Sequence, residues 1–233
     1  MTITSSRNRK LKEIRKLRMR KRWRERAGRF VAEGEDLLAA ADAAGWTPVE
    51  RYCAAGSGLG GVEVEPALLA SASGIASGTR ALAVYEERWA QPTGPLCLYL
   101  DGVHDPGNVG TILRSAEAFG VSSVVIGPGS ADPFGPKAVR ASMGSVFGVP
   151  IVKEGALPGL KVALVPGEGV PVAALEPADA VTLMIGSERE GLPDEVTRAA
   201  DVVAHIPIQT DSINAAMAAT VALYELGHRI THR

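Results

Sequence analysis

The spacing of apolar residues divides the chain into two regimes. In the first, Leu11, Ile14 and Leu17 recur every third residue inside a polar segment, the stripe of a short helix. That helix is expected over residues 7–27, with Ser5 or Ser6 near its N-cap. Residues 29–34 (Arg-Phe-Val-Ala-Glu-Gly) read as a strand, 35–44 as an Ala/Leu-rich helix closed by Gly45, and 49–54 as an alternating strand. A Gly-rich turn at 56–61, a short helix from Pro66 to Ala72 and a strand at 81–86 complete a small α/β unit.

In the second regime strands and helices alternate. Strands are expected near 96–100, 122–126, 149–152, 161–165, 181–185 and 202–206, and helices near 109–119, 136–142, 193–200 and 212–227. Runs such as Leu98-Tyr99-Leu100 and Val124-Val125-Ile126 are apolar without alternation, as in parallel strands covered on both faces. The expected fold class is therefore α/β, with a mostly parallel C-terminal sheet behind a small N-terminal α/β domain. Residues 88–95 contain Pro92, Gly94 and Pro95 and read as a linker, so the expected boundaries are 1–87, 88–95 and 96–233.

Composition removes several classes of function. With 46% hydrophobic and 22% charged residues in 233, the chain is neither collagen-like nor disordered. Cys53 and Cys97 are its two cysteines, and no Cys/His group has zinc spacing, so neither a disulfide framework nor a metal site is expected. His104, His205, His228 and His232 form no ligand set either. No apolar run approaches the ~18 residues of a membrane span, and no apolar segment follows the basic start. The expectation is a cytoplasmic protein without a membrane partner.

Charge changes the picture more. The formal net charge of −1 conceals a segment from Arg7 to Arg29 with thirteen Lys or Arg against Glu13 and Glu25, joined to an acidic remainder. Such a segment is either a solvated charged helix or an electrostatic footprint for a polyanion, and a run of this length favours nucleic acid. Candidate RNA contacts are Arg9, Lys10, Arg18, Arg20, Lys21 and Arg22, with Lys137 and Arg140 farther along. Trp23 and Phe30 are either base-stacking rings or the apolar edge of a packed helix and strand, the second being favoured.

Three loops carry the remaining chemistry, and in an open parallel sheet ligands bind outside the carboxyl ends of strands. The first runs from Asp101 through Asn108 to Gly110 and leads into a helix bearing Arg114; the second is Gly186 to Pro193; the third is Pro207 to Asn214. Each has a plain alternative. Gly107 and Gly110 make a turn with Asn108 as a cap, Gly186 and Gly191 make a left-handed loop, and Ser212 caps the last helix. Neither a GxGxxG nor a Walker A pattern is present.

Taken together, the loops resemble the three signature motifs of the SpoU/TrmH family of RNA ribose 2′-O-methyltransferases, in the SPOUT superfamily. Asn108-Val-Gly-Thr-Ile-Leu-Arg114 resembles the first motif, Gly186-Ser187-Glu188-Arg-Glu-Gly191-Leu192 the second, and Ile206-Pro207-Ile208 with Ser212-Ile213-Asn214 the third. Arg140-Ala-Ser142-Met-Gly144 is similar to a further family segment, and the basic helix followed by Phe30-Val-Ala-Glu33-Gly34 to the family's substrate-binding domain. The third motif departs from the usual form, since only Ile208 to Asp211 separates Pro207 from Ser212.

The resemblance implies a C-terminal domain tied in a deep trefoil knot, a topology ordinary folding rules exclude. It implies S-adenosylmethionine as cofactor, held by Val165, Pro166, Gly186, Ser187, Gly191, Ile206, Ile208, Ser212 and Ile213. It also implies a homodimer with the site near the subunit interface and no metal. The catalytic set is Arg114, Asn108, Glu188, Ser212 and Asn214. The implied reaction moves a methyl group in line from sulfur to a ribose 2′-hydroxyl, so placement does much of the work. A guanidinium stays protonated in proteins and is a poor base; Arg114 is better cast as a grip on an RNA phosphate and a stabiliser of charge on oxygen. The proton then passes to an RNA phosphate or to Glu188. Ribosomal RNA is the favoured substrate, with transfer RNA or a non-catalytic RNA-binding or assembly role as alternatives.

Overall fold

The protein is described here by a computed structural model covering residues 2–75, 78–176 and 178–230. His232 and the side chain of His228 lie outside this description. The expected single basic helix is two helices, α1 (Arg9–Met19) and α2 (Lys21–Ala27), separated by Arg20 in an extended conformation. The cap of α1 is Asn8, whose Oδ1 accepts from Lys10 N at 2.9 Å, and neither Ser5 nor Ser6. The break is stabilised by Arg24, which folds back from α2 and donates to Leu17 O (2.6 Å) and Arg18 O (3.3 Å), carbonyls that α1 leaves unpaired at its end. The Leu11, Ile14 and Leu17 stripe is fully buried as its spacing predicts.

The helices pack on a mixed sheet ordered β1-β4-β2-β3, with β1 (Arg29–Glu33), β2 (Glu50–Ala54), β3 (Val62–Val64) and β4 (Ala81–Glu86). Helices α3 (Glu35–Ala43) and α4 (Pro66–Ala72) complete this unit. The short β3 has too few residues to show an alternation, so its pattern predicts no strand.

The second sheet contains β5 (Leu96–Leu100), β6 (Ser123–Ile126), β7 (Ile151–Val152), β8 (Leu160–Leu164), β9 (Val170–Pro171), β10 (Val181–Ile185) and β11 (Val202–His205). Its order is β7-β6-β5-β10-β8-β11-β9, and every pairing is parallel. Helices α5 (Pro106–Ala118), α6 (Pro136–Ala141), α7 (Ser145–Gly148), α8 (Asp194–Arg198) and α9 (Ala215–Ile230) flank it. Two-residue β9 and four-residue α7 fall below the length at which periodicity is readable. Because β5, β10, β8 and β11 are adjacent and parallel, the loops that follow them open at one edge of the sheet.

The two units share one apolar core. Phe30 of β1 is buried against Trp46, Tyr85, Phe134 and Phe147, with ring centroids 4.8–6.1 Å apart. Phe30 is thus a core ring. Trp46 also donates from Nε1 to Phe147 O at 2.9 Å. A buried ion pair crosses the same junction: Arg24 Nε and Nη2 donate to Asp132 Oδ2 at 2.8 and 2.6 Å.

Candidate active site

The first loop is set by Asp105, not Asn108. Asp105 caps α5 by accepting from Gly107 N at 2.8 Å, and Pro106 occupies the first helical position. The helix therefore begins three residues earlier than its apolar pattern, and Asn108 stands in its first turn with its side chain free for other partners. Lys137 Nζ sits 2.7 Å from Asp105 Oδ1 and, with the Gly107 amide, holds that carboxyl below the ordinary carboxylate range. Upstream, Tyr99 donates to Asp101 Oδ2 at 2.7 Å; burial and that carboxylate push the phenol up, so it stays a donor.

The second loop follows β10 and closes on itself. Ser187 and Gly191 exchange backbone hydrogen bonds of 3.0 and 3.1 Å, and Ser187 Oγ accepts from Glu190 N at 3.0 Å. Gly191 has φ 70°, the left-handed region that favours glycine. A Cβ on buried Gly186 would overlap the backbone of Gly191 and Leu192, so that position requires glycine for close approach.

The third loop leads into α9, whose cap is Asn214. Its Oδ1 accepts from Ala216 N (2.9 Å) and Met217 N (3.2 Å). This moves the helix start from the expected Ser212 to Ala215. Ser212 is exposed, as are Pro207, Ile208 and Pro166; Val165, Ile206 and Ile213 are half-buried. Val165 continues the β8 ladder by donating to Ala204 O at 2.9 Å, which ties the loop after β8 to β11.

These loops meet in a hydrogen-bond chain. Asn108 Nδ2 donates to Glu188 Oε1, and Asn108 Oδ1 accepts from Asn214 Nδ2 at 3.1 Å. One residue from each loop is thus joined, with both ends of the Asn108 amide oriented. Arg114 does not join them. It lies six residues further along α5, exposed, with no hydrogen bond or ion pair among the described residues. Six residues are about 9 Å of helix and a different face.

The basic residues sort into two groups. Arg9, Arg20 and Arg22 are exposed; Lys10 pairs with Glu50 and Lys21 lies 4.0 Å from Glu25, both at the surface. Arg18 is instead committed to the fold: it pairs with the buried Glu33 and donates to Ala72 O at 2.6 Å. Arg140 reaches Glu33 Oε2 at 3.6 Å. Trp23 is half-buried beneath Lys16, whose Nζ lies 4.3 Å from the ring centroid. Among the described residues no group of three or more His, Cys, Asp or Glu side chains is placed to hold a metal, and no helix is long and apolar enough to cross a membrane. A cavity of about 1180 Å³ lies elsewhere, between Trp89, Tyr99, Met184 and Lys153, and contains none of the residues of the three loops apart from their shared strands.

An all-parallel sheet whose loops gather the Asn108, Glu188 and Asn214 motifs defines a class, and the chain belongs to it: residues 95–224 match the SpoU rRNA Methylase family. Residues 8–90 match the MRM3-like substrate binding domain. Among individual relatives, the 23S rRNA (guanosine(2553)-2′-O)-methyltransferase RlmP of Bacillus subtilis is 34% identical over 153 residues, 60% of each protein. The chain spans about half to three fifths of the length of the first curated relatives it matches. An uncharacterised tRNA/rRNA methyltransferase of Synechocystis is 30% identical over 96% of this chain and 92% of its own. The AdoMet-bound rRNA methyltransferase of Sinorhizobium meliloti superposes with a TM-score of 0.87 at 30% identity, covering 98% of this chain and 97% of that one. AviRb of Streptomyces viridochromogenes, a SpoU methyltransferase solved with AdoMet, gives 0.86 at 26% identity over 95% and 98%.

Proposed function

We propose that this protein transfers a methyl group from S-adenosylmethionine to a ribose 2′-hydroxyl of RNA, with ribosomal RNA the favoured substrate. The observation that carries the reading is the Glu188–Asn108–Asn214 chain, which draws the three family motifs to one edge of the sheet. Residues 1–87 would bind RNA and 96–233 carry the chemistry, joined by 88–95, in a knotted domain of a cytoplasmic enzyme.

The residues offered to the cofactor fit it. Gly186 carries no side chain and the backbone of Gly191 and Leu192 lies close against it; bare backbone of this kind suits an adenine edge. Ile206, Ile208 and Ile213 supply apolar wall; Val165, Pro166, Ser187, Gly191 and Ser212 complete the ring. The bound cofactor supplies an electrophilic methyl group on a sulfonium. Asn108, fixed at both ends, orients the ribose. Glu188 holds the second loop to the first and is available to the departing proton. Ser212 and Asn214 contact cofactor or substrate. Arg114 grips the RNA phosphate.

Because Arg114 is exposed and outside the chain of three in a single copy, a homodimer is proposed to complete the site. Met217, Val221 and Tyr224 form an exposed apolar stripe on α9, 63%, 40% and 50% accessible, of a kind that a second copy would cover. The adjacent α5 packs on α9 through the Ser115–Thr220 hydroxyl pair (2.6 Å), and Arg114 is the residue before Ser115 in that helix.

A non-catalytic RNA-binding role is favoured only by the shortened third motif, and methylation of transfer RNA remains the other alternative substrate. Calorimetric titration with S-adenosylmethionine separates enzyme from binder: saturable binding is expected, and none at millimolar cofactor would support the binder.

For the RNA footprint, α1 and α2 are part of the core, so point substitutions are the proper test. Changing Arg9, Arg20 and Arg22 to alanine should weaken RNA binding and flatten its salt dependence by about 0.7–0.9 log units for each phosphate no longer neutralised. A filter-binding series across salt reads the slope directly, and an unchanged slope would remove these residues from the interface.

A further inference from the structure

Met143 stands out in the turn between α6 and α7. It is the one non-glycine residue with positive φ (51°) among the described residues. A side chain in the left-handed region costs energy, and such outliers concentrate where a ligand is gripped. Met143 is also 60% exposed and belongs to no apolar cluster among the described residues. Glycine would sit here without strain.

The surroundings over-determine the turn. Ser142 is buried, donates from Oγ to Val139 O at 2.8 Å and accepts from Val146 N at 3.4 Å. Gly144 has φ 103°, and a Cβ there would press on Ala40 Cβ. The chain is therefore held on both sides of Met143, and its side chain is forced outward.

The turn also lies against α5. A Cβ on Gly110 would overlap Ala138 O and Ala141 Cβ, and Ser145 Oγ donates to Glu117 Oε2 at 2.6 Å. Positions 110, 114 and 117 share one stripe of a helix. The two contacts bracket Met143 and Gly144 along α5, and Arg114 lies between them on that stripe. Arg140, three residues before Met143, keeps 41% of its side chain exposed while leaning on Glu33. An exposed apolar, polarisable residue thus stands in a turn three residues from Arg140 and packed along the stripe of α5 that carries Arg114.

We propose that Met143 is a positioning residue for the RNA: its thioether rests on a nucleobase whose flanking phosphates meet Arg114 and Arg140. A sulfur–ring contact is soft and tolerant of base identity, and the guanidinium groups supply the grip on phosphate. This inference rests on the RNA methyl-transfer reading above.

The test compares Met143→Gly, Met143→Leu and the unaltered enzyme in steady-state methylation of ribosomal RNA, with thermal midpoints measured alongside. Met143→Gly relieves the backbone, so its midpoint should hold or rise, while KM for RNA rises by about three- to tenfold, the scale of one sulfur–ring contact. KM for cofactor should be unchanged, and Met143→Leu should restore most of the RNA KM. Methylation by the unaltered enzyme together with an unchanged RNA KM in Met143→Gly overturns the proposal alone. No methylation by the unaltered enzyme overturns the reading beneath it, and the proposal with it. A fall in midpoint with equal loss in every parameter means a structural role and also overturns it.

Discussion

Arg114→Ala should slow methyl transfer by about 10²–10³-fold, the loss typical when one preorganised charge-stabilising donor is removed. Single-turnover transfer with saturating RNA and cofactor reads this step. The side chain makes no hydrogen bond or ion pair among the described residues, so its removal leaves no buried partner stranded and the thermal midpoint should stay put. Cofactor affinity should also be preserved, because Arg114 lies outside the loops after β8, β10 and β11. Lysine restores charge but not the two-pronged donor geometry that suits phosphate, so Arg114→Lys should recover only part of the rate. Wild-type turnover in Arg114→Ala would remove this residue from the chemistry.

The second large effect is on stability. Asp132→Ala would leave Arg24, itself 5% exposed, buried without its carboxylate. Breaking a buried pair by removing one partner costs about 3–5 kcal/mol. At roughly 2–4 °C per kcal/mol for a chain of this size, the midpoint should fall by about 6–20 °C. Converting both residues to apolar side chains of similar volume should recover much of that loss. Scanning calorimetry of the single and double variants checks both statements. Because Arg24 also seals the end of α1 through Leu17 O, Arg24→Ala should cost at least as much as Asp132→Ala. Equal midpoints for all variants would mean the pair contributes nothing at the junction.

The course of the main elements was legible because their apolar patterns are long enough to show a period: the α1 stripe, the β5 and β10 runs, and α9. The family motifs were legible as spacing, and hydrogen bonds join one residue from each, Asn108, Glu188 and Asn214. Three things were not readable. Helix ends depend on which side chain wins the cap, and Asp105, Asn8 and Asn214 each displaced the residue that pattern alone suggested. Charge in a basic segment does not reveal which cations face inward: Arg18 and Arg24 look like their neighbours, and only the distant carboxylates Glu33 and Asp132 distinguish them. The shared core is a third case. Phe30, Trp46, Tyr85, Phe134 and Phe147 come from both sides of residues 88–95, so a reading by segments separates rings that pack as one cluster.

The short second loop shows a related limit. Gly186 and Gly191 are both glycines, yet for different reasons: one is crowded by backbone, the other has positive φ. A sequence shows the residue and not the reason, and the reason decides which substitution disrupts the loop.

The central claim is that the loops gathered at Asn108 transfer a methyl group to an RNA ribose. The most direct measurement is to incubate ribosomal and transfer RNA with the protein and methyl-labelled S-adenosylmethionine, then map ribose methylation at nucleotide resolution. The account predicts label on the 2′-oxygen at a defined position of ribosomal RNA. Label on a base, or no label on either RNA with cofactor bound, would contradict it.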